Sequence, residues 1–215
     1  MMDNRNLVLQ WETGAGWLIL SGGPDALSDI RAEALSRMIP DGEIIYIGVD
    51  ESAADDLIED MGELGATTGF LVNVLIEDDD SIAAHLSNAA LVVIPAEIDP
   101  RDLFSVLQGA AIKAIREAYQ RGTVILVEGD SSAVFGHLYV VDGVGYEGFG
   151  WLQGALIVPR VTSINDSAVA QDVLTANAAG IAVGVGVGSA LALGPQGQVE
   201  TWGRGEVTVA LGRGS

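Results

Sequence analysis

The residues able to do chemistry are few, and their spacing narrows the choice. The most suggestive run is Val127-Glu128-Gly129-Asp130-Ser131-Ser132-Ala133, a strand end followed by a turn of small residues. Read as Gly-x-Ser-x-Ala over 129–133, it makes Ser131 a candidate nucleophile. A sharp strand-to-helix bend exposes such a hydroxyl and offers backbone N–H groups to a developing oxyanion. A simpler reading has the Ser131 and Ser132 hydroxyls capping the helix after the turn. A nucleophilic serine also needs an imidazole and an acid to orient it. The histidines are His85, in a short helix, and His137, just before a strand, and both read as ordinary structural or surface residues. There is no cysteine, which excludes disulfides, thiolate metal sites and thiol nucleophiles.

Carboxylates collect where strands end. Asp50 and Glu51 follow one apolar run, Glu77 to Asp80 a second, Glu97 and Asp99 a third, Glu128 and Asp130 a fourth. Open α/β sheets bind ligands outside the carboxyl ends of their strands. Crowded carboxylates need solvent, cations or shared protons. The foremost reading is a solvated rim on which Arg160 pairs with Glu128 or Asp130. The competing one is a site for Mg²⁺, Ca²⁺ or a small cationic molecule. The spacing matches no EF-hand loop. Gly184-x-Gly186-x-Gly188 lacks the third glycine spacing and helix start of a dinucleotide fingerprint, and reads as a strand packed closely on a neighbour. Gly22-Gly23 reads as a tight turn.

The elements that must position these residues are written in a chain of 215 residues, 49% apolar and 19% charged, long enough for a sizeable core. Ten basic and thirty acidic residues give a net charge of −20, which makes nucleic acid and anionic membranes poor partners. No charged-then-apolar leader opens the chain and no stretch reads as a membrane span, so a cytoplasmic protein is expected.

Apolar β-rich runs alternate with helical patterns. Strands are expected at Leu18–Leu20, Glu43–Gly48, Phe70–Ile76, Ala90–Pro95 and Thr123–Val127. Between them Leu27, Ile30, Leu35 and Met38 recur at helical spacing, as do Leu57, Met61 and Leu64, and Ser81 caps a short helix. Asp99 as N-cap, Pro100 at the first helical position and Gly122 as stop bracket one long helix. Beyond Gly136 short strands surround the glycine-rich stretch 143–150, a helix runs from an Asp166 cap to Gly180, and a Pro195-Gln-Gly turn makes a hairpin. This βαβα alternation predicts a three-layer αβα domain over 1–215, with a mostly parallel, doubly wound sheet and a β-rich C-terminal edge.

That order of elements resembles the peptidase S51 family, the cyanophycinase and dipeptidase E-like serine peptidases, whose domain is like the class I glutamine amidotransferases. The resemblance covers roughly 17–210. It rests on the early Gly-Gly turn, the strand, helix and strand from Leu91 to Val127, the small-residue turn at 129–133, and GFGWLQGALIV at 148–158. GVGVGSALAL at 184–193 and GRGEVTVAL at 203–211 complete it. The family places its nucleophilic serine in a Gly-Thr-Ser-Ala-Gly-Ala turn, and the matching position here is Gly129. Its histidine position falls on Arg160 and its acid position on Val187. The family's Gly-Gly-Asn-Gln segment becomes Pro95-Ala96-Glu97-Ile98. The resemblance therefore implies a homodimeric relative without a triad, retained for binding or structure, with no cofactor. Glu97, Glu128, Asp130, Ser131 and Arg160 are its candidate ligand contacts. The alternatives are an active hydrolase of small peptides using Ser131, and a triad-free acyl- or amidotransferase working through Glu97 and Glu128.

Overall fold

The computed structural model describes residues 9–23, 27–40, 42–49, 55–66, 69–96, 98–176 and 178–212. In chain order the first half comprises β1 (Gln10–Trp11), β2 (Leu18–Ser21), α1 (Leu27–Ser36), β3 (Glu43–Gly48), α2 (Asp55–Glu63), β4 (Phe70–Asn73), α3 (Asp79–Ser87), β5 (Ala89–Ile94), α4 (Pro100–Leu107), α5 (Ala110–Arg121) and β6 (Val124–Val127). A 3-10 helix, Gly129–Phe135, leads to β7 (Leu138–Val141), β8 (Val144–Glu147), β9 (Leu152–Gln153) and β10 (Ala155–Pro159). A short 3-10 turn at Ile164–Asp166 precedes α6 (Ala168–Thr175), β11 (Ile181–Val185), β12 (Ser189–Leu193), β13 (Val199–Gly203) and β14 (Val207–Leu211).

The protein is an αβα structure of flavodoxin-like type with a β-rich edge. A seven-stranded sheet runs β13-β12-β2-β6-β5-β3-β4. Its β2, β6, β5, β3 and β4 are parallel, and β12 and β13 add antiparallel. Alternation along each strand sorts side chains to the two faces. Val124 and Leu126 face α1 and α2, in a cluster with Ile30, Ala34, Leu57 and Met61. Ile125 and Val127 face the other way, onto α3, α4, α5 and the second sheet, with Leu86, Leu103, Ile115, Ile157 and Val183.

The strands of the later half do not all extend the first sheet. Five of them build a sheet of their own, β14-β11-β10-β7-β8, whose outer face is closed by α6 through Leu156, Ile164, Ala170 and Ala182. Trp151 is fully buried where the halves meet, its ring 5.2 Å from Tyr119 and 5.3 Å from Phe135. Burial, with the nearby Glu12 charge, pushes the Tyr119 phenol up to about 12, so its O–H stays available to donate to the Glu12 carbonyl, 3.1 Å away. Among the described residues no helix is long and apolar enough to cross a membrane.

Several local expectations are corrected. The long helix is two, because the chain breaks at Gln108-Gly109 with Gly109 at φ +108°, a conformation that favours glycine. Asp99 and Pro100 open the first helix, and Gly122 ends the second in the left-handed region. Asp78 caps α3 by accepting from the Ser81 N–H, so Ser81 is inside the helix. The strand from Phe70 stops at Asn73, whose side chain accepts from the Leu75 N–H and turns the chain. Ser167 caps α6 in place of Asp166, and the helix ends at Thr175.

Removing the Trp151 side chain leaves a large void between the halves. Trp151→Ala is expected to cost about 3–5 kcal/mol, read as a lower urea midpoint at unchanged slope.

Candidate functional site

The site is built from the end of β6, the central strand that lies between β2 and β5. All four residues of β6 are buried, so the residue that follows is buried too: Glu128 is 1% exposed. A carboxylate out of water must be paired. Its partner is Arg31 of α1, whose Nε donates to Oε1 at 2.8 Å and Nη2 to Oε2 at 2.9 Å, a bidentate fork. The third arm, Nη1, donates to Oδ2 of Asp60 on α2 at 2.6 Å. Burial opposes the Arg31 charge, but the hydrogen bonds and charges of Glu128 and Asp60 outweigh it and hold the guanidinium above its ordinary pKa. Burial likewise raises the neighbouring Tyr46 phenol, with the Arg31 charge opposing it.

One residue on, Gly129 adopts φ +56° and turns the strand sharply into the 3-10 helix. The strand-to-helix turn is sharp and carries no side chain at its apex. A Cβ added there would lie 2.7 Å from the Ala96 Cβ, so the space beside the bend is filled. The hydroxyls that follow point inward. Ser131 is fully buried and its Oγ donates to the Pro95 carbonyl at 2.6 Å. Ser132, also fully buried, reaches the Ser21 and Val127 carbonyls at 2.9 and 3.0 Å. They tie the bend to β2 and to the end of β5.

The other positions come to the same place from the second sheet. Arg160, just beyond β10, has φ +60°, uncommon for a residue with a side chain. Its Nε lies 3.2 Å from Oδ1 of Asp130, and both side chains are about half-exposed. A Cβ on Gly23 would meet Arg160 Nε at 3.3 Å and Gly129 Cα at 3.7 Å, so these three backbones and side chains converge. The Gly188 N–H donates to the Gly23 carbonyl at 3.3 Å, which brings Val187, 42% exposed, to the same rim. Gly184 and Gly186 allow the close packing on which this depends. A Cβ on Gly184 would crowd Val161 and Thr208, and one on Gly186 the Glu206 carbonyl.

Among the described residues the acidic rim is not one cluster. Glu128 faces Arg31, Asp130 faces Arg160, and Glu77 accepts from the Ser81 hydroxyl and the Asn73 N–H. Glu97, Asp50 and Glu51 lie outside the described residues. Among the described residues no group of three or more His, Asp or Glu is placed to hold a metal ion. His85 lies 3.7 Å from Glu77 on α3, and His137 is exposed at the start of β7. No hydrogen bond or ion pair joins either to Ser131, Asp130 or Arg160.

Next to Asp130 the second sheet opens. β7 and β10 pair only at Leu138 and Leu156 and then diverge. The gap is a cavity of about 330 Å³ walled by Val140, Leu156, Val158 and Val169, with Asp130 and Asp142 among its lining.

Arg31 and Asp60 are absent from the sequence expectations. A signal existed: Arg31 falls on the apolar stripe of α1, between Ile30 and Ala34, where a charge must find a buried counter-charge.

No protein-family model and no curated protein matches the chain. Solved structures do. A peptidase from an acI-B1 Actinobacterium superposes with TM-score 0.73 at 17% identity, over 95% of this chain and 93% of that one. A candidate peptidase E protein from Listeria monocytogenes EGD-e gives TM-score 0.65 at 12% identity, over 88% and 98%. The chain shares the fold of these peptidases.

Two outcomes follow from the geometry. Glu128→Ala leaves the buried guanidinium with Asp60 alone and should cost up to about 3–5 kcal/mol in chemical denaturation, whereas Arg31→Met with Glu128→Leu should recover most of it. Gly129→Ser should lose about 1–2 kcal/mol from the left-handed backbone alone, and more from the Ala96 overlap; adding Ala96→Gly should return part of that loss.

Proposed function

We propose that the chain is a catalytically silent, single-domain relative of the S51 serine peptidases that binds a small molecule at the strand ends. The observation that carries this reading is the bend at Gly129: the elbow backbone is kept, and no nucleophile stands on it. Arg160 and Val187, the positions that the resemblance gives to the imidazole and the acid, come to the same rim. The burial of Ser131, with its proton given to the Pro95 carbonyl, supports a framework role for that hydroxyl over hydrolysis.

The ligand class that suits the site is a small organic cation with an aliphatic portion. Asp130 and Asp142 line the cavity between β7 and β10, whose walls are largely valine and leucine. The net charge of −20 concentrates cations around the protein and disfavours nucleic acid. In this reading Arg160 holds Asp130 until the ligand replaces it. The protein works in the cytoplasm as a homodimer, without a cofactor.

The test combines turnover and binding. A panel of Asp- and Arg-containing dipeptides should show no hydrolysis. Putrescine or butylamine at a hundred times its dissociation constant should add about 2.7 kcal/mol of stability, and Asp130→Asn should abolish the shift. Hydrolysis of any member of the panel overturns the silent site. An unmoved melting temperature with every amine, Mg²⁺ and Ca²⁺ overturns the ligand class.

A further inference from the structure

β10 stands between β11 and β7 in the second sheet, and its two parallel ladders differ in length. With β11 it pairs along its whole span, from Ala155 opposite Ile181 to Pro159 opposite Val185. With β7 it pairs at Leu156 and Leu138 alone. We infer that Pro159 keeps β7 from closing on β10, and that the slot so kept takes a ligand group carrying N–H donors, a primary ammonium or a guanidinium. The inference rests on the ligand reading above and narrows its chemistry.

Backbone parity shows what Pro159 removes. The His137 N–H donates to the Ala155 carbonyl, and the Gly180 N–H to the Gly154 carbonyl. Odd-numbered residues of β10 therefore turn their backbone groups to β7 and even-numbered ones to β11. On β7, Val141 and Val144 close a two-residue turn at Asp142-Gly143, where both φ angles are positive. Such a closing pair is hydrogen-bonded, and bonded pairs alternate, so Val141 and Tyr139 spend their groups on β8. Leu138 and Val140 turn theirs to β10.

The rung after Leu138 would set Val140 opposite Val158. A parallel ladder there needs the Val140 N–H on the Ile157 carbonyl, and an N–H from position 159 on the Val140 carbonyl. Proline has no N–H, so that rung cannot be completed. The ladder to β11 asks nothing of the Pro159 nitrogen, which explains why it runs on while the other stops.

The slot has an excess of acceptors. Val140 turns a carbonyl and an N–H into it, and Ile157 a carbonyl. Asp130 and Asp142 line the same cavity of about 330 Å³, and every other lining side chain is apolar, so no lining side chain donates. Two carbonyls and two carboxylates thus face one spare N–H. A ligand with N–H groups on a cation supplies the donor that Pro159 lacks, in charge-assisted bonds. Attraction of charge alone would hold a quaternary ammonium equally well.

Butylamine and butyltrimethylammonium carry the same charge and chain and differ in their N–H groups. Titrated calorimetrically into the full chain, the first should bind at least about ten-fold more tightly, the loss expected when a hydrogen bond to a charged group goes unmade. Dimethylbutylamine, protonated and nearly as bulky as the quaternary ion but with one N–H, should recover part of that loss. Pro159→Ala restores the missing donor. It should slow amide exchange at Val140 by about ten-fold or more as β7 pairs on β10, and weaken butylamine by at least as much. Several results overturn the inference and leave the ligand class standing: equal affinity for butylamine and the quaternary ion, dimethylbutylamine no better than that ion, or Pro159→Ala with unchanged Val140 exchange or unchanged butylamine binding. A wild type that binds none of the three overturns the ligand class as well. Should Pro159→Ala fail to fold, the three amines on the wild type decide.

Discussion

A carboxylate at the end of a fully buried strand has to be neutralised within the protein, and the structure around the candidate site follows from that need. β6 is covered on both faces, so Glu128 leaves the strand with water already excluded. Its charge draws Arg31 inward from α1, and Arg31 in turn takes Asp60 from α2. One guanidinium thus fixes two helices to the sheet at the strand ends. Removing either buried partner is costly, whereas apolar residues of similar volume could fill the place. The pair secures geometry more than it adds stability. The geometry it secures is the start of the bend at Gly129.

A sharp strand-to-helix bend suits nucleophilic chemistry only where a side chain stands on it. A left-handed residue between a buried strand and a helix projects its side chain away from the sheet, and glycine projects nothing. Ala96 has closed the space that a Cβ would need. The serines that remain have been drawn into the framework, each hydroxyl given to a backbone carbonyl of a neighbouring strand. What stays open is the exposed Asp130–Arg160 pair and the cavity between the diverging strands beside it.

Much of the fold could be read directly from the residues. The parallel strands showed as short apolar runs, and Asp99, Pro100 and Gly122 marked helix ends by local backbone chemistry. The tight Gly184-x-Gly186 strand also announced itself through residues without side chains. Failures came where tertiary context decided. A strand pattern does not say which sheet receives it, so the separate five-stranded sheet was not visible. Two caps belong to a neighbour of the residue the sequence suggests, Asp78 in place of Ser81 and Ser167 in place of Asp166. At the site, the resemblance singles out Gly129, Arg160 and Val187, and the backbone brings the three to one rim. The Arg31–Glu128 pair was not legible, because its members lie 97 residues apart and nothing local joins them.

The claim that the strand-end site holds no reactive hydroxyl is tested most directly by the intact mass of the folded protein after prolonged exposure to a fluorophosphonate. The account predicts an unmodified mass, with the buried Ser131 proton committed to the Pro95 carbonyl. A stoichiometric adduct on the wild type that disappears in Ser131→Ala would contradict it.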